Sequence, residues 1–328
     1  MVSALRDIRV ERDEHGALLV RWQADDPIDI GMGATPLAAE HTLLATAVGG
    51  GLIRIPGPVP RRTYVSLVPP SRPAVVAAER RIPFQGITNL RDLGGYPTAT
   101  GGVTRWGRVF RADALHKLTA DDLDAFHELG VTTVYDLRGD AERADFPGPV
   151  PSRHLSIVGR PRDVVPPPPP PEMTVRDGEE LLRDTYVGAL THSAIEIGAV
   201  MRGLADRGLT PAVFHCHGGK DRTGVVAAVL LLALGVDRDT VLDDYEATSL
   251  YRFPEDQHDS LANMLQAGIS PEAAAGVLGT PRWAMAEAVD LLLGFPDGVG
   301  GFLTGPAGMQ LGELAALRKH LVTPAEAA

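Results

Sequence analysis

A single cysteine, Cys216, in a chain of 328 residues excludes an intramolecular disulfide. It leaves two uses for that side chain, buried filler or reactive nucleophile. Aromatic residues are scarce at 5%, and charged residues make up 22% against a hydrophobic fraction of 44%. Those values belong to a soluble globular chain, not to a disordered or membrane one. No apolar run reaches the roughly 20 residues that a spanning helix needs. The longest, Val225 to Leu234, supplies about half of that, so no membrane anchor is expected. Positive charge is also short: 31 Lys and Arg against 42 Asp and Glu leave a net charge of -11. This argues against a nucleic-acid or anionic-membrane partner held by general electrostatics, and an anionic substrate would need a local positive pocket. The amino terminus turns charged at Arg6 and Asp7 before a signal-peptide core could form. Cytoplasmic location is the default expectation, with export lacking a signal peptide left open.

The first ~80 residues read as short strands between turns. Ile8 to Val10 and Ala17 to Trp22 flank Asp13-Glu14-His15-Gly16, the pattern of a hairpin. His41 to Val48, Leu52 to Ile55 and Thr63 to Val68 continue it, so residues 1–80 are expected to form a small all-β, sandwich-like domain of unknown role. From residue 81 the pattern changes to strands alternating with helices, which predicts an α/β domain over 81–328 with a parallel-rich central sheet flanked by helices. Val109 to Arg111, Val131 to Asp136 and Pro211 to His215 are its strand candidates. Thr119 can cap a helix through Leu129, with Asp121 and Asp122 in the first turn and Gly130 ending it. Glu179 to Leu190, Ser193 to Arg207 and Thr223 to Leu234 are further helices, and the tail after Pro254 reads as mostly helical. Six prolines, Pro166 to Pro171, form a stiff run that cannot join a sheet and reads as a solvated spacer.

Chemistry concentrates in His215-Cys216-His217-Gly218-Gly219-Lys220-Asp221-Arg222-Thr223-Gly224, with a strand running in and a helix running out. Cysteine and arginine stand six positions apart. The residues between can wrap so that successive backbone N–H groups converge on one centre, and Gly218 and Gly219 permit the dihedrals and close approach this requires. The following helix aims its positive end at the same point. An oxyanion with three equatorial oxygens fits such a cup, and Arg222 adds a planar fork for two of them. The same field lowers a cysteine pKa from ~8.5 to roughly 3.5–7.5, so Cys216 is expected to attack phosphorus as a thiolate and form a phosphocysteine that water then hydrolyses. His217, Gly218, Gly219, Lys220 and Thr223 are the expected substrate-binding residues. Lys220 is placed at the pocket mouth, and Thr223 is positioned to donate a hydroxyl to the sulfur. Metal binding by His215, Cys216 and His217 is disfavoured, because adjacent residues do not easily face one ion and no second ligand pair has zinc-like spacing. No metal or cofactor is expected.

A phosphate ester needs its leaving oxygen protonated, and two aspartates compete for that task. Asp221 lies inside the loop. Asp136 ends a strand whose carboxyl end shares the crevice with Cys216, although it also suits a pairing with Arg138. The reading leans towards Asp221. Arg91, Arg111 and Arg138 add positive potential around the pocket or serve as ion-pair residues.

These residues resemble a bacterial family of tyrosine-specific and dual-specificity phosphatases whose loop reads HCxxGKDRTG. Asn89-Leu90-Arg91-Asp92-Leu93-Gly94-Gly95 is similar to the family's N-[FL]-R-D-L-G-G opening. Val109-Phe110-Arg111-Ala112 is similar to its F-R-S/A segment, and Asp136-Leu137-Arg138 to its D-L-R segment followed by an acidic residue, here Glu142. Leu234-Gly235-Val236 and Asp243-Asp244-Tyr245 also fit, so the likeness spans about 82 to 321 in the right order. The resemblance implies a cysteine-phosphatase fold, a metal-independent phosphomonoesterase mechanism and a phosphoprotein or phosphoinositide substrate. It implies functional weight for Lys220 and Asp221, with Cys216 as nucleophile and Arg222 as phosphate clamp. Members often carry a helical lid, and residues 141–183 occupy that place. Two other classes compete: a catalytically silent phosphate-binding module and a sulfurtransferase. Oligomeric state is not legible.

Overall fold

A computed structural model describes residues 5–49, 51–70, 73–161, 170, 172–252 and 257–324, and the chain divides into two compact units, the first ending at Pro83. The first unit is β-rich: β1 (Arg6–Arg12), β2 (Leu18–Gln23), β3 (Ile28–Gly33), α1 (Pro36–His41), β4 (Leu43–Val48), β5 (Leu52–Ile55), β6 (Tyr64–Val68) and β7 (Val75–Ala78). Its strands pair antiparallel in two sheets, β1-β2-β5 and β4-β3-β6-β7. Alternation along β2 sends Leu18, Val20 and Trp22 inward, where they share a core with Ile28, Ile30, Val65 and Leu67. Trp22 is therefore a core residue. The hairpin forms as expected, with the Asp13 carboxylate accepting from the His15 and Ala17 N–H groups. One strand expectation needs correcting. His41 belongs to α1, because Thr35 caps Ala38 N–H and Pro36 opens the first turn.

The second unit holds β8 (Arg91–Asp92), β9 (Val103–Thr104), β10 (Val109–Ala112), β11 (Thr133–Asp136), β12 (Arg153–His154), β13 (Ala212–His215) and β14 (Val322–Thr323). Five of these form the sheet β12-β11-β13-β10-β8, parallel except where β8 meets β10, while β9 and β14 pair separately. Among the helices, α2 (Ala120–Glu128), α3 (Asp140–Asp145), α4 (Val175–His192), α5 (Ala194–Ala205) and α6 (Asp221–Ala233) come first. They are followed by α7 (Arg238–Glu246), α8 (Thr248–Tyr251), α9 (His258–Gln266), α10 (Pro271–Leu278), α11 (Arg282–Leu293), α12 (Gly298–Thr304) and α13 (Leu311–Leu321). No helix among the described residues is long and apolar enough to cross a membrane. Of the proline run, Pro166 to Pro169 and Pro171 lie outside the described residues.

Two elements position the site. β13 sits between β10 and β11 with all four residues buried, which is why its sequence is continuously apolar until His215. Helix α6 is buried from Thr223 through Ala233, so its apolar character runs all round the helix. Both pack in the core that also holds Tyr186, Leu190, Tyr245, Met285 and Leu317. A buried strand followed by a buried helix fixes both ends of the turn between them.

Candidate active site

The turn from His215 to Arg222 wraps at the carboxyl end of β13, and Cys216 is 2% exposed beneath it. Among the described residues, no acceptor is hydrogen-bonded to the backbone N–H groups of residues 217 to 222. The carbonyls of the same turn are tied outward. Asn89 Nδ2 donates to Gly218 and Gly219 oxygens at 3.1 Å each, Arg111 Nη2 donates to Gly219 O at 2.8 Å, and Ala114 N–H donates to His217 O at 2.9 Å. With the oxygens engaged outside, the amides are left to face an anion. Gly219 makes the wrap achievable. Its φ is +63, and a Cβ there would lie 2.6 Å from Asp113 N.

The cations behind the turn form a scaffold. Arg91, Arg111 and Arg138 are fully buried, so their ion-pair role holds but a surface position does not. Arg91 and Arg111 converge on Asp244, Nε at 3.1 Å and Nη1 at 2.5 Å, and Arg91 also donates to the Asn89 side chain. This links the Asn89 segment, β10 and α7 to the carbonyls of the loop. Such a buried network is demanding to form but rigid once every member is satisfied.

Arg222 is held by Glu142 of α3 in a two-point contact, Nη1–Oε2 2.5 Å and Nη2–Oε1 2.9 Å. Burial acts against its charge, but the Glu142 hydrogen bond and the charges of Cys216, Glu142 and Asp221 outweigh it and raise its pKa. Burial likewise pushes Glu142 up, yet the bonds and charge of Arg222 prevail and bring it down to about 2. A fork clasped from behind presents a defined edge to a ligand. Thr223 Oγ1 is buried and has no hydrogen-bond partner among the described residues.

The two aspartates sit differently. Asp136 is buried and gripped by its neighbour: Arg138 Nε donates at 2.9 Å and Nη2 at 2.7 Å. Burial would raise its pKa, but the Arg138 bonds and the charge of His215 leave it lowered. Arg138 in turn donates to Phe146 O at 2.8 Å, anchoring the end of α3. Asp221, 33% exposed at the side chain, accepts from the Tyr186 hydroxyl at 2.6 Å.

Lys220 is a correction. It does not stand at the pocket mouth but is 2% exposed, with Nζ donating to the carbonyls of Val277 and Gly279 and lying 3.3 Å from Asp221 Oδ1. Two carbonyls at the end of α10 satisfy its hydrogens, while burial lowers its pKa against the opposing charge of Asp221. His217 joins His116 and Phe146 in a cluster of rings, with centroids 5.0 to 6.3 Å apart, and Phe146 is 48% exposed. His215 turns away: its Nδ1 donates to Cys216 O at 3.0 Å. Among the described residues no group of three His, Cys, Asp or Glu is arranged to hold a metal.

Sequence reasoning passed over several participants. Asn89 and Asp244 stood in quoted motifs without a role, and Glu142 was only an acidic residue after D-L-R. Tyr186 and Arg252 carried no local signal. The Arg252 guanidinium lies against the loop, with Nη1 2.9 Å from where a Cβ on Gly218 would be.

A family model described as "Tyrosine phosphatase family" matches residues 82–323. A protein named as a tyrosine-protein phosphatase in Cupriavidus necator is 30% identical over 217 residues, covering 64% of this chain and 79% of the relative. The triple specificity protein phosphatase PtpB of Mycobacterium tuberculosis is 31% identical over 196 residues, 51% of this chain and 68% of its own. The solved structure of TpbA from P. aeruginosa aligns with 54% of this chain and 88% of its own at 18% identity and a TM-score of 0.25.

Proposed function

The chain belongs to the tyrosine phosphatase family, and from that premise we propose that it hydrolyses phosphotyrosine in proteins through a phosphocysteine formed on Cys216. The observation that carries this reading is the turn itself: six consecutive N–H groups without a protein acceptor among the described residues, above a buried cysteine and beside a clasped arginine. The sulfur attacks phosphorus in line, the phosphoryl oxygens lie in the amide cup, and the Arg222 fork bridges two of them. Asp221 protonates the leaving phenol oxygen and then takes a proton from the attacking water. Its partial exposure and its Tyr186 contact support that role. Asp136, committed to Arg138, serves position rather than proton transfer. Thr223 offers its hydroxyl to the sulfur as phosphate departs.

The rings of His116, Phe146 and His217 favour a flat aryl leaving group by stacking. Lys220, spent on two carbonyls, lends no support to a second phosphate on the substrate. Residues 81–328 form the phosphatase domain in this reading, with 1–80 a separate β domain. Phosphopeptides carrying phosphotyrosine, phosphoserine or phosphothreonine, assayed beside phosphoinositides without divalent metal, test the substrate. Fastest turnover on phosphotyrosine is expected. For the mechanism, Cys216→Ser should abolish turnover and vanadate should inhibit the native protein. Residual activity in that variant overturns the phosphocysteine route.

A further inference from the structure

We infer a second anion-binding site, built from Arg105, Arg108 and Arg207 at the end of the central sheet opposite the Cys216 turn, for a small soluble ligand bearing two or more phosphoryl groups. The topology assembles it from separate segments. Arg108 immediately precedes β10, and its carbonyl accepts from Ala212 N–H at the start of β13 (2.9 Å). Arg207 lies between α5 and β13, where the Thr210 hydroxyl donates to its carbonyl (3.4 Å) and shares a 2.7 Å hydrogen bond with His320 Nε2. Arg105 N–H donates to Leu321 O (2.7 Å), one residue from His320. All three therefore gather where β10 and β13 begin, whereas Cys216 follows the point where β13 ends.

Among the described residues, none of the three guanidinium groups has a hydrogen-bonded or ion-paired acid. Arg108 and Arg207 are exposed and Arg105 is half-buried. Burial first, and then the charges of Arg108 and Arg207, lower the pKa of Arg105, so the groups are close enough to repel. Beside them, burial and then all three arginines lower the pKa of His320 while exposed Asp206 opposes them, and the Asp206 Oδ1 is engaged with Gly208 N–H. A chain with net charge -11 has no surplus of base to scatter, so three unpaired arginines in one place call for an anion. Planar forks match paired phosphoryl oxygens, and several forks match a ligand with several such groups. A plainer explanation is available: the cluster borders the carboxyl ends of α5 and α13, where cations offset the helix dipole. The two accounts differ in what substitution does to binding.

Calorimetric titration of inorganic tripolyphosphate into vanadate-saturated protein at low salt decides between them. Binding at one site is expected, weakened about tenfold or more in the Arg105→Gln/Arg207→Gln protein, with turnover of a small aryl phosphate unchanged. Arg238→Gln removes an arginine already paired with Asp290 and should leave binding as it was. Three results overturn the site: no binding once vanadate fills the Cys216 pocket, equal affinity in the double variant, or equal weakening by Arg238→Gln. A double variant that loses thermal stability but keeps its affinity assigns the arginines to the helix ends. Failure here leaves the phosphatase reading intact, since that reading fails separately through a lack of vanadate inhibition.

Discussion

At the scale of single residues, the environment of each carboxylate supports the proposed division of work. Asp136 accepts two guanidinium bonds and its proton affinity is lowered, which suits an anchor. Asp221 is a third exposed and holds a hydroxyl contact. Asp221→Asn is therefore expected to lose more activity than Asp136→Asn, and the gap should widen with alkyl phosphates, whose leaving groups depend more on protonation. Steady-state kinetics on paired aryl and alkyl substrates measures it, and a larger loss in Asp136→Asn reverses the assignment. His116 gives a pH expectation. Burial, and then the charge of Arg138, bring its pKa down from 6.5 to about 4. Between those values the unfolded chain binds a proton that the folded chain does not, so stability falls as pH drops through that window. His116→Phe keeps the ring against Phe146 and should flatten the dependence of Tm on pH between about 6.5 and 4.

Elements matter because the loop is shaped by what lies behind and beside it. The strand-to-helix turn supplies its own amides, but its carbonyls are held by Asn89 and by Arg111 of β10, and Arg222 by Glu142 of α3. The α3–α6 contact therefore fixes Arg222, the proposed phosphate fork, from outside the motif. In Glu142→Gln the charge-assisted pair weakens by roughly 1.5–3 kcal/mol, which corresponds to a fall in kcat/KM of about 10- to 150-fold if the fork loses its set position. Urea unfolding separates this from a loss of fold: a variant that unfolds at its native midpoint but turns over slowly supports the positioning role. Unchanged kcat/KM removes it.

For the whole molecule, two hydrophobic cores fall in separate stretches of chain, one between Val10 and Ala77 and the other between Leu93 and Leu321. Every side chain proposed to touch substrate lies in the second stretch of chain. Residues 84–324 expressed alone are expected to fold cooperatively and to hydrolyse a small aryl phosphate, because a unit with its own core carries its own stability. Calorimetry and turnover on that fragment check it, and an unfolded or inert fragment shows that the β unit is needed.

What the sequence by itself determined was whatever depends on neighbours along the chain. The Cys216-to-Arg222 spacing, the glycine pair, the apolar runs on both sides and the Thr119 cap all act within a few residues, and the strand-turn-helix follows from them. The one strand expectation that failed, at His41, did so because a Thr35 cap and Pro36 start a short helix there. Only the tertiary structure decided how distant groups meet. Lys220 reads as a free cation until α10, more than fifty residues on, brings the Val277 and Gly279 carbonyls to it. Arg91 and Arg111 read as surface charge until Asp244 draws both inside. Glu142 gains its task through a side chain 80 positions away. Hydrogen bonding and burial of charge are settled by three-dimensional proximity, which no local pattern encodes.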